Sequence, residues 1–247
     1  MKRIKDFNET LDQHSVKRTS ITKVPPPFSE LRFEDVCFKY RDEVSNETFD
    51  LGPINITIDQ GKIIFITGGN GSGKSTFIKI LTGIYTPDSG RIFLNGEPVA
   101  LENYGEVRNL ISAVFTDNHL FSENYLNHDL TDSNPLMREY VEMVRMNGIF
   151  RLNSNENADA ALSKGQQKRV ALILALLDDR PILVLDEWAA EQDPGFRKYF
   201  YEDIIRTLCA RNKTLLLVTH DEAHFTGADR IIKFNYGLCQ EESPAQT

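Results

Sequence analysis

The residues Gly68-Gly69-Asn70-Gly71-Ser72-Gly73-Lys74-Ser75-Thr76 set a glycine-rich loop directly before a lysine and two hydroxyls. Glycines let successive main-chain N–H groups curl around an anion without a Cβ in the way. Lys74 adds a compact cation for the β- and γ-phosphates of a nucleotide, and the Ser75 hydroxyl can ligate Mg²⁺. The flanks fit the same chemistry. Before the loop, Ile63-Ile64-Phe65-Ile66-Thr67 is an apolar run expected of a strand buried on both faces. After it, Phe77, Ile78, Ile80 and Leu81 fall at helical spacing. A helix start there adds roughly half a positive charge to the loop. Strand, loop and helix satisfy G-x-x-x-x-G-K-[ST] in full and imply a nucleoside triphosphate site.

A second set of residues follows from where a sheet enzyme keeps its ligands. The apolar run 182–185 ends in Asp186-Glu187, and the run 215–218 ends in Thr219-His220. In a parallel sheet, ligands lie at the carboxyl ends of the strands. Asp186 is therefore assigned to Mg²⁺ and Glu187 to the water that attacks the γ-phosphate. His220 either contacts that phosphate or holds Glu187 in place. Leu162-Ser163-Lys164-Gly165-Gln166-Gln167 lies about ninety residues after the phosphate loop. Ser163 reads as the N-cap of a helix beginning near Lys164. Capping does not account for Gly165-Gln166 in the first turn, which with the Ser163 hydroxyl suggests a second anion site.

The remaining chain supplies the elements that must position these groups. Residues 1–27 are a charged segment ending in Pro25-Pro26-Pro27, and the folded domain is expected over 28–247. Ile4, Phe7 and Leu11 form a narrow stripe that fits either a short packed helix or a frayed arm. Period-two alternation from Leu31 to Ile58 indicates antiparallel strands. Tyr40 ends the first of them, where its ring could stack on a base or be merely half-buried. A strand is expected at Arg91–Leu94, followed by an Asn95-Gly96 hairpin turn, and another buried strand at Leu110–Phe115. Residues 118–162 turn polar, with Met137, Tyr140, Val141 and Val144 at helical intervals, and read as a small helical insertion.

The helix from Gln166 to Leu177 should turn Val170, Ile173, Leu174 and Leu177 inward. Asp193-Pro194 should start a helix running to about Arg211. Strands are expected at 182–185, 215–218 and 231–234, with the last eight residues a disordered tail. Buried strands alternating with helices give an α/β fold around a mostly parallel sheet.

Composition narrows the class. A net charge of −8 argues against a general nucleic-acid partner, which would show a basic face. Cys37, Cys209 and Cys239 are scattered, with neither a disulfide framework nor zinc spacing. No stretch approaches the roughly 18 apolar residues of a membrane span.

With these residues assembled, the chain resembles an ATP-binding cassette (ABC) domain across roughly residues 30–238. Gly68–Ser75 matches the phosphate loop, Leu162–Gln166 (LSKGQ) the signature usually written LSGGQ, and Ile182–Glu187 the Walker B strand with the catalytic glutamate. Asp193 resembles the D-loop aspartate, His220 the switch histidine and Tyr40 the adenine-stacking aromatic. The stretch Asp186–Pro194 is similar to the variant in bacterial exporters of cyclic peptides and siderophores. There, one polypeptide carries a membrane domain and then the cassette. Two positions depart from the family. Asp117 stands where glutamine is usual, short and anionic yet able to reach Mg²⁺. Lys164 replaces the second signature glycine, near a partner's γ-phosphate or facing solvent.

The resemblance implies a P-loop NTPase (RecA-like) core with an antiparallel β subdomain and a helical subdomain at about 118–162. It implies ATP and Mg²⁺ as cofactors, and two copies paired head to tail with two ATP molecules between them. It implies a transmembrane exporter domain as partner, engaged through the helical insertion and the loop around Asp117 at the cytoplasmic face of the cell membrane. On that reading the chain is an excised or separately encoded cassette and residues 1–11 end a connecting helix. Two other expectations stay open: a soluble non-transport ABC ATPase with an assembly or regulatory role, and a P-loop kinase.

Overall fold

The computed structural model describes residues 27–41, 48–100, 104–116, 128–131, 133–148, 162–221, 225 and 227–242. The segment 1–26, Asp117 and most of the expected helical insertion lie outside these residues.

Two sheets form the framework. Strands β1 (Glu30–Arg41), β2 (Thr48–Asp59), β4 (Ser89–Leu94) and β5 (Glu97–Pro98) make an antiparallel sheet in the order β2-β1-β4-β5. The β4–β5 turn uses Asn95 and Gly96 at φ 54° and 84°, the left-handed pair a tight hairpin requires. The second sheet has the order β10-β9-β3-β8-β7-β6. It comprises β3 (Ile63–Gly68), β6 (Ile111–Val114), β7 (Ile182–Asp186), β8 (Thr214–Val218), β9 (Arg230–Asn235) and β10 (Leu238–Glu242). All its neighbours pair in parallel except β9 with β10.

The unbroken apolar runs now have their reason. Along β3, Ile64 and Ile66 enter a core shared with the antiparallel sheet and helix α1 (Lys74–Leu81). Ile63 and Phe65 enter a second core on the other face. That core is lined by α3 (Pro135–Met143), α4 (Lys164–Leu177) and the helical run α5 (Pro194–Tyr199) to α6 (Ile205–Ala210). β7 and β8 alternate in the same way. A strand with two buried faces has no polar side to show. The short helix α2 (Gly105–Arg108) precedes β6.

Three expectations shift. The inner face of α4 is Val170, Leu172, Ile173 and Leu176, while Leu174 and Leu177 are only partly buried at the core margin. The run Val170–Leu177 is apolar all round, so its periodicity marks no face. The expected helix to Arg211 is interrupted by a π-helical segment at Phe200–Ile204 between α5 and α6. The expected tail is in part a strand. A turn at Tyr236-Gly237 (φ 46° and 83°) returns the chain as β10, which runs to Glu242. β10 is an exposed edge whose Glu241 pairs with Arg230 and Glu242 with Lys233. Its polar sequence is that of a solvated edge strand.

Candidate functional site

Parallel pairing brings the chemistry-bearing strand ends together. Ile66 of β3 is in register with Val218 of β8, and Val218 with Asp186 of β7. The phosphate loop, Asp186-Glu187 and Thr219-His220 therefore leave adjacent strands on the same edge of the sheet.

The loop is held tightly. A Cβ on Gly68, at φ 135°, would lie 2.2 Å from the Phe234 carbonyl. Gly73 caps α1 in the left-handed region, and a Cβ there would strike Leu51 at 2.6 Å. The β9–β10 turn supports the loop from beneath, with Gly237 N–H donating to the Ser72 carbonyl at 2.9 Å. Lys74 is 6% exposed, and its Nζ donates to the Gly68 and Gly69 carbonyls at 2.8 and 2.9 Å. Burial lowers its pKa, opposed by the negative charges of Glu187 and Asp186. The buried Ser72 hydroxyl has no partner among the described residues. Buried polar groups are normally paired, so this hydroxyl and the inward-curled loop fit a polar ligand.

The cleft over the loop is lined by Gly71 to Thr76 and by two aromatics, Tyr40 and Phe49. Tyr40 and Phe49 are register partners across β1 and β2. Tyr40 presents a 43% exposed ring. Phe49 went unmarked in the sequence; its place opposite Tyr40 in the alternation was the available signal. Tyr40→Ala is expected to weaken ATP binding by roughly tenfold, the scale of one lost aromatic–base stack, with Tyr40→Phe near wild type. Nucleotide titration of the three chains checks this.

At the end of β7, burial raises the pKa of Asp186, partly countered by a hydrogen bond from Thr116. A carboxylate desolvated in this way gains from a cation brought beside it. Asp186 and Ser75 are hard oxygen donors of the kind Mg²⁺ takes alongside phosphate oxygens and water. Among the described residues no group of three His, Cys, Asp or Glu side chains forms a metal cage of its own. Glu187 sits at φ 48°, and its Oε1 lies 3.3 Å from His220 Nε2.

Ser163, Gly165, Gln166 and Asp193 gather at a different place, the N-terminus of α4. Ser163 and Gln166 form a reciprocal capping box: Gln166 N–H donates to Ser163 Oγ at 3.3 Å and Ser163 N–H to Gln166 Oε1 at 2.9 Å. Gly165 has a packing reason that the sequence did not show, since a Cβ there would lie 2.7 Å from the Glu191 carbonyl. Its own carbonyl accepts from Gln192 Nε2 at 3.0 Å. Asp193 caps α5 and also accepts from Arg169 at 3.1 Å. Arg169 reaches Gln192 as well and lies over the Phe196 ring. Arg169 and Gln192, unmarked in the sequence, thus join α4 to the segment after β7.

Residues 51–190 match the family model described as ABC transporter. The chain belongs to that family. It is an ABC-type ATPase with the P-loop NTPase fold. Its sequence is 41% identical over 215 residues to the ATP-binding protein SyrD of Pseudomonas syringae pv. syringae, covering 85% of this chain and 38% of that protein. It is 29% identical over 254 residues to the leukotoxin export ATP-binding protein LtxB of Aggregatibacter actinomycetemcomitans, covering 97% and 35%. The cassette thus spans little more than a third of the length of these two relatives. Its fold matches the dimeric post-hydrolysis structure of the ATP-binding cassette MJ0796 bound to ADP and Pi. That match has a TM-score of 0.72 at 23% identity and covers 88% of this chain and all of that one.

Proposed function

We propose that this cassette hydrolyses ATP to drive export through a membrane domain, using two copies closed head to tail around two nucleotides. The observation that carries the reading is the set of adjacent strand ends. They place the Lys74 loop, the Asp186 carboxylate and the Glu187–His220 pair along one edge of the sheet.

In this reading, Tyr40 stacks on adenine, and the main chain from Gly68 through Asn70, Gly71, Ser72 and Gly73 to Thr76 cradles the phosphates. Lys74 neutralises the β- and γ-phosphate charge. Ser75 and Asp186 would hold Mg²⁺, with Asp117, which lies outside the described residues, as a third candidate. Bound Mg²⁺ supplies charge neutralisation for the departing phosphate. Glu187 accepts a hydrogen bond from the attacking water, and His220 fixes the carboxylate. Ser163, Gly165 and Gln166 of a second copy would close over the γ-phosphate, with Asp193 at the junction. A head-to-tail arrangement fits because these residues cluster at the start of α4 and none of them lines the cleft over the phosphate loop.

Export is favoured by the name of LtxB, an export ATP-binding protein, and by relatives far longer than the cassette. No helix among the described residues is long and apolar enough to cross a membrane. A membrane domain would have to come from residues or a chain beyond this one. The stretch Asp186–Pro194 favours a cyclic peptide or siderophore-like cargo, moved from the cytoplasmic face. Reconstituting the cassette with its membrane domain is expected to raise ATP turnover several-fold and to make it cargo-dependent. Turnover indifferent to any membrane domain would favour a non-transport ABC ATPase.

A further inference from the structure

Lys168 lies within α4 and is only 4% exposed, among apolar neighbours of the helical core. A buried ammonium needs a hydrogen-bond acceptor. Its acceptor is the main-chain carbonyl of Glu187, 3.0 Å from Nζ. Glu187 occupies the left-handed region at φ 48° and ψ 33°. That conformation crowds a residue with a Cβ and persists where the surroundings enforce it.

Both main-chain polar groups of Glu187 are in fact held. Its N–H donates to the Val218 carbonyl at 3.0 Å, and its carbonyl accepts from Lys168 Nζ at 3.0 Å and, more weakly, from Ala190 N–H at 3.3 Å. A second bond ties the same two segments in the opposite sense. The Trp188 indole N–H donates to the Lys168 carbonyl at 2.7 Å. Trp188 is itself buried, its ring centroid 4.4 Å from that of Phe200. Packing alone gives no reason for a lysine here, because an apolar side chain of similar length would fill the space without burying a charge.

We propose that Lys168 is a positioning residue for ATP hydrolysis, fixing the left-handed main chain at Glu187 so that its carboxylate stays beside His220. It acts through Glu187 and touches no reacting atom. The proposal rests on the reading of Glu187 as the residue that polarises the attacking water.

The test compares wild type, Lys168→Met, Lys168→Gln and Glu187→Gln in the full chain, across Mg-ATP concentrations up to saturation. Lys168→Met keeps the stem and removes the donor. It is expected to lower kcat by about tenfold to a hundredfold, the scale of an ångström's misplacement. KM for ATP should stay within about threefold, as for an interaction that matters only in the transition state. Lys168→Gln, which restores a donor on a shorter stem, should recover most of the lost rate. Trp188 is the one tryptophan of the chain, so its emission reports this junction directly. Unchanged emission and Tm in Lys168→Met are expected.

A Lys168→Met chain with kcat within about twofold of wild type, beside an inactive Glu187→Gln, would overturn the proposal. Equal losses in Lys168→Met and Lys168→Gln, with lowered Tm and red-shifted emission, would mean a structural role only and would also overturn it. Wild-type turnover in Glu187→Gln would instead overturn the reading of Glu187 itself.

Discussion

Glu187→Gln is expected to cut ATP turnover at least about a hundredfold while nucleotide affinity stays within a few-fold, the scale of losing a positioned base. The amide has the size and shape of the carboxylate and can still meet His220 Nε2, which lies 3.3 Å from Glu187 Oε1. The left-handed turn should survive, because it is fixed through main-chain groups rather than the side chain. What disappears is the negative charge that makes the oxygen a strong acceptor for a proton of water. The cradle formed by residues 68–76 is untouched, so ATP should bind and remain. With hydrolysis blocked, two copies should accumulate as an ATP-bound dimer. Phosphate release gives the rate, and size-exclusion chromatography with and without ATP gives the dimer. Wild-type turnover in this variant would remove Glu187 from the mechanism.

The fold and the phosphate loop were legible in the sequence for a common reason. Strands buried on both faces must be written as unbroken apolar runs, and Ile63–Ile66, Ile182–Leu185 and Leu215–Val218 each are. Once those runs are placed in one parallel sheet, the polar residues that end them must share an edge. Asp186, Glu187 and His220 followed from that geometry. So did the caps, because Ser163 and Asp193 act locally within one turn of their helices.

What stayed hidden depends on contacts distant in sequence. Lys168 and Arg169 sit in a helix, and nothing in their spacing says that one meets the Glu187 carbonyl and the other Gln192 and Asp193. Gly165 illustrates the point from the other side. The sequence suggested an anion site there, whereas its missing Cβ also makes room for the Glu191 carbonyl. The inner face of α4 was misjudged because apolar residues surround that helix, and only neighbouring elements decide which of them is buried. β10 escaped because an edge strand exposes polar groups on its free side, so Gln240, Glu241 and Glu242 resemble a tail until Tyr236-Gly237 is seen as a turn.

Lys74→Ala should act on a different quantity, raising the dissociation constant for ATP by roughly tenfold to a hundredfold. The ammonium is buried, and its hydrogen bonds go to the Gly68 and Gly69 carbonyls. Those carbonyls hold it at the floor of the cradle, so little reorganisation is needed when phosphate oxygens arrive. Charge-assisted hydrogen bonds of this kind contribute about 1.5–3 kcal/mol, which converts to that range of affinity. Burial lowers the pKa of Lys74 while Glu187 and Asp186 oppose the shift, so the cation is supported by the two carboxylates at the end of β7. Folding should change little in either direction: alanine leaves two carbonyls short of a donor but also spares the protein a desolvated charge. Lys74→Arg should not restore affinity, because a planar guanidinium cannot take the place of a compact ammonium between two loop carbonyls. Titrating the three chains with a fluorescent nucleotide at fixed ionic strength separates affinity from turnover. An unchanged dissociation constant in Lys74→Ala would mean that the main-chain amides alone carry the triphosphate.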